Sequence, residues 1–554
     1  MDDLIEMGAG LISGDPVEVV FSYHERTKHY PGRYARGPGG LDWASQPDPF
    51  RRFAGAPEVV LPLASHEVGV GCAVLVGGGE VRSRELSLAT LGGFLELAMG
   101  LSARKEMGGD GWYLRMNPSS GNLHPTELYL LLPALEGIGE QPGLYHYACR
   151  EHVLERRAEW GRWNGEGGFW VGLSSVLWRE AWKYGERAFR YCQHDVGHAL
   201  GALRYAAATL GWSVRLCAGL RGQELGRLLG VDREEDFRGC EEEEAELLAW
   251  VGVDGRGGEE GDPDAGEAVT WWGRANRLSR DRVEWPVIGA VARASGGVAG
   301  RGLVGGIRRE EHWGEVRIPE CGLGAGEVIR RRRSAVAFDG ETSVSREQFL
   351  TILDATLPRV GGALFDVWPL AVRVHLVLFV HRVEGLPSGL YLWLRRGEDL
   401  EGLKLAMGVE AKWERVAGLD EGVPLYALAE GDLREFAESV SCMQSIAADS
   451  AFSLGMLGRF ESAIGEGGAG VYRELFWEAG LVGQALYLGA EMAGVRGTGI
   501  GCYFDDMLHR ALRLEGREWQ SLYHFTVGGP VEDGRLRTVA PYVGAEREGV
   551  SAKR

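Results

Sequence analysis

The chain of 554 residues is too long for one hydrophobic core, so we expect two domains of roughly 200 to 250 residues each. Its 79 acidic and 60 basic residues give a net charge of -19, which disfavours binding to nucleic acid and to anionic membranes. Hydrophobic residues make up 45% of the chain, and no apolar run is long enough to span a bilayer. These features predict a soluble, globular protein.

The cysteines and the amino terminus bear on the compartment. The 8 cysteines are scattered, without a Cys-x-x-Cys pair, which is typical of free thiols rather than of a disulfide framework or a structural zinc site. The amino terminus is acidic and lacks the features of a secretory or organelle signal. We therefore expect a cytoplasmic protein.

In chain order, we divide the sequence into four segments. Residues 1–57 are rich in aromatic, basic and turn residues and are interpreted as an irregular arm. Residues 58–253 form a first domain, in which periodicity predicts a long helix from about residue 186 to residue 212 and then a strand over 213–217. Residues 254–325 are glycine-rich and predict a linker with tryptophans pinned to a neighbouring surface, and residues 326–545 form a second domain.

The second half of the sequence repeats the first. Residues 202–211 align with residues 485–494 at a separation of 283, and Leu229 meets Leu512 at the same separation. Upstream, Gly143 corresponds to Gly389 at a separation of 246, so the second half carries about 37 extra residues. We expect this insertion, near residues 401–439, to form a lid. Chance similarity of Ala/Leu/Gly-rich helices is the alternative.

A polar loop lies directly before an apolar strand. Residues 117–125 read Asn-Pro-Ser-Ser-Gly-Asn-Leu-His-Pro, and the apolar residues that follow predict a strand. Glycine permits close backbone approach and the prolines restrict φ, so the loop offers short polar groups to a planar, hydrogen-bonding ligand. An ordinary loop of this composition before a strand is the other interpretation.

This loop resembles the Pro-Ser-Ser-x-Asn segment of the nitroreductase family of FMN-dependent oxidoreductases. With residues 124–129 behind it, it is most similar to the SagB-type or thiazoline-oxidase dehydrogenase branch. The resemblance implies an α+β fold in which mixed sheets are flanked by helices. It also implies that the flavin contacts include Pro118, Ser119, Ser120 and Asn122.

Four consecutive arginines, residues 330–333, open the second domain. Adjacent guanidiniums repel one another unless anions compensate them, and phosphate is a natural partner because the arginine fork donates two charge-assisted hydrogen bonds to it. A solvated face before a helix is the alternative. The resemblance implies that Arg332 and Ser334 hold the FMN phosphate and the pyrimidine edge of the ring, whereas Val336 stands where many relatives have a basic residue.

Two carboxyl-terminal motifs extend the resemblance. Residues 497–502 read Gly-Thr-Gly-Ile-Gly-Cys and are similar to the family turn that faces the flavin N5 and O4, which implies contacts from Gly501 and Cys502. Arg535 and Arg537 resemble the basic-x-basic pair that completes the phosphate site. Read alone, these motifs are an ordinary strand-to-helix turn and ordinary alternating charges on a strand.

Each half lacks what the other half has. Glu25 stands where the first half would need the family arginine, and residues 365–370 stand where the second half would need the serine loop. Family members are homodimers that bind FMN across their interface. The resemblance therefore implies an intrachain pseudo-dimer of two nitroreductase-like domains, monomeric as a chain, with one complete flavin site and one eroded site.

The resemblance implies an FMN-dependent oxidoreductase that transfers two electrons, as hydride, to or from a small-molecule or peptide-derived substrate. NAD(P)H or the substrate itself would supply the electrons, and the sequence identifies no catalytic residue. A non-catalytic flavin- or peptide-binding module is one alternative. A metal-dependent hydrolase using His194 and His198, four apart on a predicted helix, is another, but it lacks a catalytic glutamate between the histidines and an evident third ligand.

Overall fold

The structure is a computed structural model that describes residues 14–542 apart from 66, 68, 162, 254–267, 298–312, 360, 361, 363, 408–410 and 421. The carboxyl end of the predicted second domain, residues 543–545, lies outside the described residues, as do residues 1–13 of the predicted arm and residues 254–267 and 298–312 of the predicted linker. In the described part of the chain, no helix is both long and apolar enough to cross a membrane.

The first half is built on a sheet of eight strands. Its strands are β1 (Phe53–Ala54), β2 (Glu58–Val60), β3 (Leu101–Met107), β4 (Asp110–Arg115), β5 (Thr126–Leu132), β6 (Gly143–Ala148), β7 (Val153–Trp160), β8 (Gly168–Ser175), β9 (Ser213–Cys217), β10 (Glu244–Gly252), β11 (Ala268–Trp271) and β12 (Arg274–Ala275). Its helices are α1 (Pro16–Arg26), α2 (Leu88–Met99), α3 (Leu177–Tyr184), α4 (Ala188–Ala208), α5 (Gly222–Leu229) and α6 (Pro286–Ser295). The sheet order is β11-β7-β6-β5-β8-β10-β9, with β2 also paired to β7.

The second half is built on a sheet of seven strands. Its strands are β13 (Val374–Val380), β14 (Gly389–Trp393), β15 (Glu414–Arg415), β16 (Leu425–Glu430), β17 (Phe452–Arg459), β18 (Arg496–Ile500), β19 (Trp519–Gly528) and β20 (Arg537–Val539). Its helices are α7 (Ala325–Arg331), α8 (Arg346–Asp354), α9 (Leu400–Met407), α10 (Arg434–Val440), α11 (Ile446–Asp449), α12 (Glu461–Gly467), α13 (Val471–Met492) and α14 (Asp505–Ala511). The sheet order is β15-β16-β14-β13-β17-β19-β18, and β20 instead joins β3 and β4 in a small separate sheet.

The two large sheets share one topology. The order β6-β5-β8-β10-β9 in the first half corresponds to β14-β13-β17-β19-β18 in the second. The strands β9 and β18 both begin 283 residues apart, as do α4 and α13. The α+β class and the two tandem nitroreductase-like domains are therefore confirmed. The strand pairings described in both sheets are antiparallel, where we expected mixed sheets, because neighbouring strands are joined by hairpins or by helices that return the chain.

The two halves join where helices α4 and α13 cross. A Cβ atom on Gly197 would lie 2.2 Å from the carbonyl oxygen of Trp477, and a Cβ on Gly480 would lie 2.2 Å from the carbonyl oxygen of His194. Both helices are buried over almost their whole surface, as expected for helices that are apolar on all sides. Gly197 and Gly480 are themselves 283 residues apart, so the crossing lies at the centre of the repeat.

The amino-terminal segment is more regular than the predicted arm. Pro16 opens α1 after the side chain of Asp15 caps it, and α1 buries apolar residues against the second half, where the rings of Phe21 and Phe460 lie 5.8 Å apart. An apolar helical face explains the difference, since Val19, Val20 and Phe21 are all buried.

The predicted linker and the predicted lid also contain elements of the fold. Strand β11 joins the edge of the first sheet beside β7, and the buried residues of α6 belong to the main hydrophobic core. Within residues 401–439, strand β16 pairs with β14. High glycine content masked the apolar residues of the linker, and hydrogen bonding to β14 makes part of the insertion a continuation of the sheet.

Candidate functional site

A cleft of ≈ 410 Å³ lies between the two halves. Its walls come from residues 117–122 of the first half, residues 332–336 and β18 of the second half, and the small sheet of β3, β4 and β20 beside residues 531–536. This volume is within the range of small-molecule sites. The cleft is therefore formed by both halves.

The loop before β5 is held in an unusual backbone conformation. Gly121, Asn122 and His124 have positive φ values of 62°, 59° and 51°. The Ser119 hydroxyl oxygen accepts the His124 backbone N–H at 2.8 Å, and the Asn122 amide donates to the Tyr113 carbonyl at 3.0 Å while its oxygen contacts the His124 ring at 2.9 Å. These contacts fix a conformation that L residues rarely adopt, and so they pre-organise the loop.

Glycine is required at the centre of this loop. A Cβ atom on Gly121 would lie 2.7 Å from the Tyr184 hydroxyl and 3.0 Å from the Lys183 ammonium group. Its positive φ excludes most other residues as well. The loop therefore sits directly against the end of α3.

Arg332 reaches the cleft from the second half and is anchored on the first. Its buried guanidinium donates to the carbonyls of Arg115 at 2.9 Å and Met116 at 3.1 Å, and it lies 5.3 Å from the centre of the Tyr487 ring. The Tyr487 hydroxyl contacts the Ser334 hydroxyl at 2.8 Å and accepts the Gly499 N–H at 2.9 Å. Tyr487 thus ties together the two second-half segments that line the cleft.

Positive charge is concentrated at one end of the cleft, where Lys105, Arg332, Arg333 and Arg496 all line the wall. Burial lowers the pKa of Arg332, and burial together with the Arg332 charge lowers the pKa of Arg333 to about 10. Burial and the Arg333 charge likewise lower the pKa of Lys105. Within the described residues, no carboxylate forms an ion pair with Arg332 or Arg333. This end of the cleft therefore favours a bound anion.

A buried pair of carboxyl groups lies beneath the serine loop. Asp195 lines the cleft and accepts the Ser120 N–H at 3.3 Å, and burial raises its pKa to about 8. Burial, and then the Asp195 charge, raise the pKa of Glu180. Both Glu180 oxygens and Asp195 Oδ2 are buried without a hydrogen-bond partner in the described part of the chain. The pair therefore retains a proton at neutral pH.

His194 and His198 belong to the packing between the halves. His194 Nε2 lies 2.9 Å from the Leu522 carbonyl oxygen, and its ring stacks on Tyr523 with centroids 4.1 Å apart. His198 contacts the Gln484 amide oxygen at 3.3 Å and the Tyr523 hydroxyl at 3.1 Å, and burial lowers its pKa to about 3. No group of three metal-ligating side chains occurs among the residues that the structure describes. The hydrolase alternative therefore gains no third ligand.

Six of the ten residues that the sequence predicts to bind the cofactor line this one cleft. They are Pro118, Ser119, Ser120, Asn122, Arg332 and Ser334. They come from opposite halves of the chain, as the complementary motifs imply. Their contact with a flavin stays a prediction.

The other four predicted residues do not line the cleft. The Gly501 carbonyl accepts a hydrogen bond from Tyr191 at 3.2 Å, and Cys502 faces Cys442. The side chains of Arg535 and Arg537 are 81% and 77% exposed. Arg535 is paired with an aspartate at the rim, at 2.7 Å. The roles assigned to all four stay predictions.

The structure adds cleft residues that the sequence reasoning did not assign. Thr498 and Gly499, earlier in the predicted turn, line the cleft. Lys105 and Arg496 contribute to the positive end, and Asp195 contributes to the floor. The run of arginines before Ser334 was the available signal for the positive end, whereas Lys105 carries no sequence signal, because only the pairing of β3 with β20 brings it there.

The corresponding position of the second half is filled by side chains. The segment before β13 lies against β9, and Phe365, Val367 and Trp368 are buried there. Arg204 of α4 pairs with Asp366 at 3.3 Å. The cavity beside Leu364 measures only ≈ 10 Å³. This half therefore has no space comparable to the cleft beside Arg332.

No protein-family profile matches the sequence, and no curated protein matches it either. Among solved structures, the chain is similar to a protein from Anabaena variabilis provisionally assigned as a nitroreductase, with 21% identity, a TM-score of 0.65, and coverage of 93% of this chain and 100% of that chain. This match shows the nitroreductase fold over nearly the whole chain.

Two further solved structures match parts of the chain. A protein from Exiguobacterium sibiricum, provisionally assigned as a nitroreductase and in complex with FMN, has 14% identity and a TM-score of 0.24 and covers 39% of this chain and 91% of that chain. The E. coli microcin synthetase McbBCD complex with truncated pro-MccB17 bound has 17% identity and a TM-score of 0.26, with 45% of this chain and 96% of that chain covered.

Proposed function

We propose that this protein is an FMN-dependent oxidoreductase with one flavin site, in the cleft shared by the two halves. It transfers two electrons, as hydride, to or from a small-molecule or peptide-derived substrate. The observation that carries the proposal is the cluster of buried, unpaired guanidiniums at one end of the cleft, opposite the Ser119–Asn122 region of the serine loop. A nucleotide with a phosphate at one end and a planar ring at the other matches that distribution of charge.

The residues present fit this cofactor. Arg332 and Arg333, with Lys105, would hold the phosphate, because their pKa values are lowered until an anion compensates them. The buried oxygen Asn117 Oδ1 has no hydrogen-bond partner in the described part of the chain and lines the cleft, as does the serine loop. These groups would bind the ring edge. When bound, FMN supplies reversible hydride transfer.

The protein's own groups position the cofactor and control protons. The guanidinium of Arg332 is fixed from behind by two carbonyls, so its charge stays directed into the cleft. The carboxyl pair of Asp195 and Glu180 holds a proton beside Ser120, where it can be given to or taken from a group in the cleft. NAD(P)H, or the substrate itself, supplies the electrons.

We also propose that the chain is monomeric and cytoplasmic. The contact that a homodimer would make between subunits is made here within the chain, by α4 and α13. All 8 cysteines are free, which suits a reducing compartment.

Measuring FMN affinity in matched arginine variants tests the proposal. Arg332→Ala and Arg333→Ala should each weaken FMN binding by about 5- to 150-fold, since each leaves a phosphate oxygen without a charged donor, at a cost of about 1 to 3 kcal/mol. Arg331→Ala is the control, because the Arg331 side chain is 56% exposed and bonds only to Glu327, at 3.4 Å.

Riboflavin, which lacks the phosphate, separates the two ends of the cleft. Its affinity should be unchanged in Arg332→Ala and Arg333→Ala if these residues bind the phosphate. Loss of FMN in Arg331→Ala to the same extent, or retention of FMN in all three variants, would contradict the assignment. An FMN content near one per chain supports a single site, and two per chain would show that the second half also binds flavin.

A non-catalytic flavin- or peptide-binding module is the second candidate. It is favoured by Val336, which lines the cleft with a 78% exposed side chain where many relatives have a basic residue. Flavin that stays oxidised under excess NADPH without oxygen, and that no added substrate re-oxidises after chemical reduction, would favour this candidate over the enzyme.

A further inference from the structure

Two cysteines that are distant in sequence meet outside the cleft. Cys442 follows α10 and Cys502 follows β18, and their thiol groups are hydrogen-bonded to each other. Backbone contacts hold the two segments together on either side of the pair. The Phe504 N–H donates to the Val440 carbonyl at 2.9 Å, and the Gln444 amide donates to the Cys502 carbonyl at 3.0 Å. The fold itself therefore positions the two sulfurs.

The backbone at Cys442 has a conformation that must be held by its surroundings. Cys442 and Met443 have successive positive φ values of 55° and 59°, which are uncommon for residues other than glycine. Met443 is 63% exposed, and both cysteines are only partly buried. The dithiol is therefore within reach of a small molecule in solvent.

The two thiols are in different electrostatic states. Hydrogen bonds from Cys442 and then from His29, together with the Arg187 charge, lower the pKa of Cys502 to about 5 despite partial burial. The His29 Nδ1 accepts the Ala35 N–H at 2.9 Å, which leaves Nε2–H to donate to the sulfur. The hydrogen bond to Cys502, followed by burial, raises the pKa of Cys442.

Other ionisable groups around the dithiol do not reverse this pattern. Asp505 contributes negative charge near both Cys442 and His29, but it is itself paired with Arg187 at 2.9 Å. Tyr34 also contacts Cys442, and partial burial and the two thiols raise its pKa. The cysteines thus lie between one guanidinium, one imidazole and one compensated carboxylate.

A second pair of cysteines provides an internal comparison. The thiols of Cys72 and Cys321 also contact each other, but burial raises the pKa of Cys72 to about 12. The contacts that shift that pKa include no histidine or arginine. Proximity of two sulfurs is therefore common to both pairs, whereas stabilisation of a thiolate is specific to Cys442 and Cys502.

We propose that Cys442 and Cys502 form a thiol–disulfide exchange site for an external low-molecular-weight disulfide. The Cys502 thiolate attacks one sulfur of that disulfide, breaks its S–S bond and releases one thiolate, leaving a mixed disulfide on Cys502. Cys442 then gives up its proton and attacks the Cys502 sulfur, which releases the second half of the reagent as a thiol. Two electrons pass from the dithiol to the reagent, and one intrachain disulfide is formed.

This proposal does not depend on flavin binding. The disulfide would join the end of α10 to the turn between β18 and α14, outside the lining of the cleft. A protein that binds no FMN would still carry the exchange site, and a failure of the exchange reaction would leave the flavin proposal intact.

Treating the reduced full-length chain with glutathione disulfide and mapping peptides by mass spectrometry tests the proposal. We expect a Cys442–Cys502 disulfide to form while Cys72 and Cys321 stay reduced. Cys442→Ser should stop at a stable mixed disulfide between glutathione and Cys502, and Cys502→Ser should leave Cys442 unmodified. Oxidation of the Cys72 pair at the same rate, or equal glutathionylation of Cys442 in Cys502→Ser, would overturn the proposal.

The pH dependence of alkylation gives a second test that does not need the disulfide to form. Between pH 6 and pH 8, the rate of iodoacetamide reaction at Cys502 should change less than about twofold, whereas an ordinary thiol would speed up roughly 80-fold over that interval. His29→Gln should make the Cys502 profile steeper without unfolding the chain, as checked by circular dichroism. A roughly 80-fold rise at Cys502 in the unmodified protein would refute the proposed thiolate.

Discussion

Replacing Asp195 by asparagine tests the buried carboxyl pair without reference to a cofactor. The asparagine oxygen can still accept the Ser120 N–H, which Asp195 accepts at 3.3 Å, but the side chain can no longer ionise. Because Asp195 is fully buried and beside Glu180, the ionised form is the costly one in the folded state.

The sign and size of the effect follow from the pKa. Asp195 has a pKa of about 8 in the folded protein, and about 3.9 is usual in an unfolded chain. The folded state therefore binds the extra proton between these values. The resulting stability is fully present below about pH 4 and is lost as the pH rises towards 8. The free energy of unfolding should fall by about 1.4 kcal/mol per pH unit within this window, or about 3 kcal/mol from pH 5 to pH 7.

Urea unfolding of the natural chain and of Asp195→Asn at pH 5, 6 and 7 measures this effect. The variant should become relatively more stable as the pH rises, and the difference between the two chains should widen by about 1.4 kcal/mol per unit. Asp110→Asn, at an exposed hairpin position, is the matched control. Parallel stability curves for the natural chain and Asp195→Asn, or a difference that narrows with pH, would refute the buried-acid reasoning.

Three further predictions concern the junction between the halves. Gly480→Ala should destabilise the fold by about 1 to 3 kcal/mol or more in urea titrations, since its Cβ would lie 2.2 Å from a carbonyl oxygen, whereas Gly402→Ala, with nothing within 4 Å, should be neutral or stabilising. Arg473→Met should cost about 3 to 5 kcal/mol, because it leaves Glu246, bonded to it at 2.6 Å, buried and unpaired, and adding Glu246→Met should restore much of that loss. Light scattering should give a monomer of 60.5 kDa, and a stable dimer at micromolar concentration would contradict the intrachain junction.

The repeated architecture could be predicted because its signal is local and strong. The two longest helices keep a constant separation of 283 residues, and so do the strands that follow them. The loop at residues 117–125 could be located for the same reason, since its prolines, glycine and short polar residues stand directly before a strand. Local composition and period are sufficient for both conclusions.

Other parts of the site depend on contacts that no local pattern contains. Lys105 reaches the positive end only because β20, more than four hundred residues later, pairs with β3. Cys502 was predicted to face the cleft from its place after a glycine-rich turn, but the chain turns towards Cys442 once β18 ends at Ile500. Charge and sulfur clusters of this kind arise from tertiary pairing, and sequence spacing does not reveal them.

Joining both halves in one chain separates the fates of the two sites. In a homodimer, every substitution appears on both sides of the axis, so a bulky residue that fills one site fills the other. Here Gly197 and Gly480 keep the crossing symmetric, because both sides of the junction need the same close approach. Away from the axis, Ser120 lines an open cleft on one side while Trp368 is buried on the other. The second position is thus free to exchange ligand space for hydrophobic burial, which stabilises the fold that holds the remaining cleft in place.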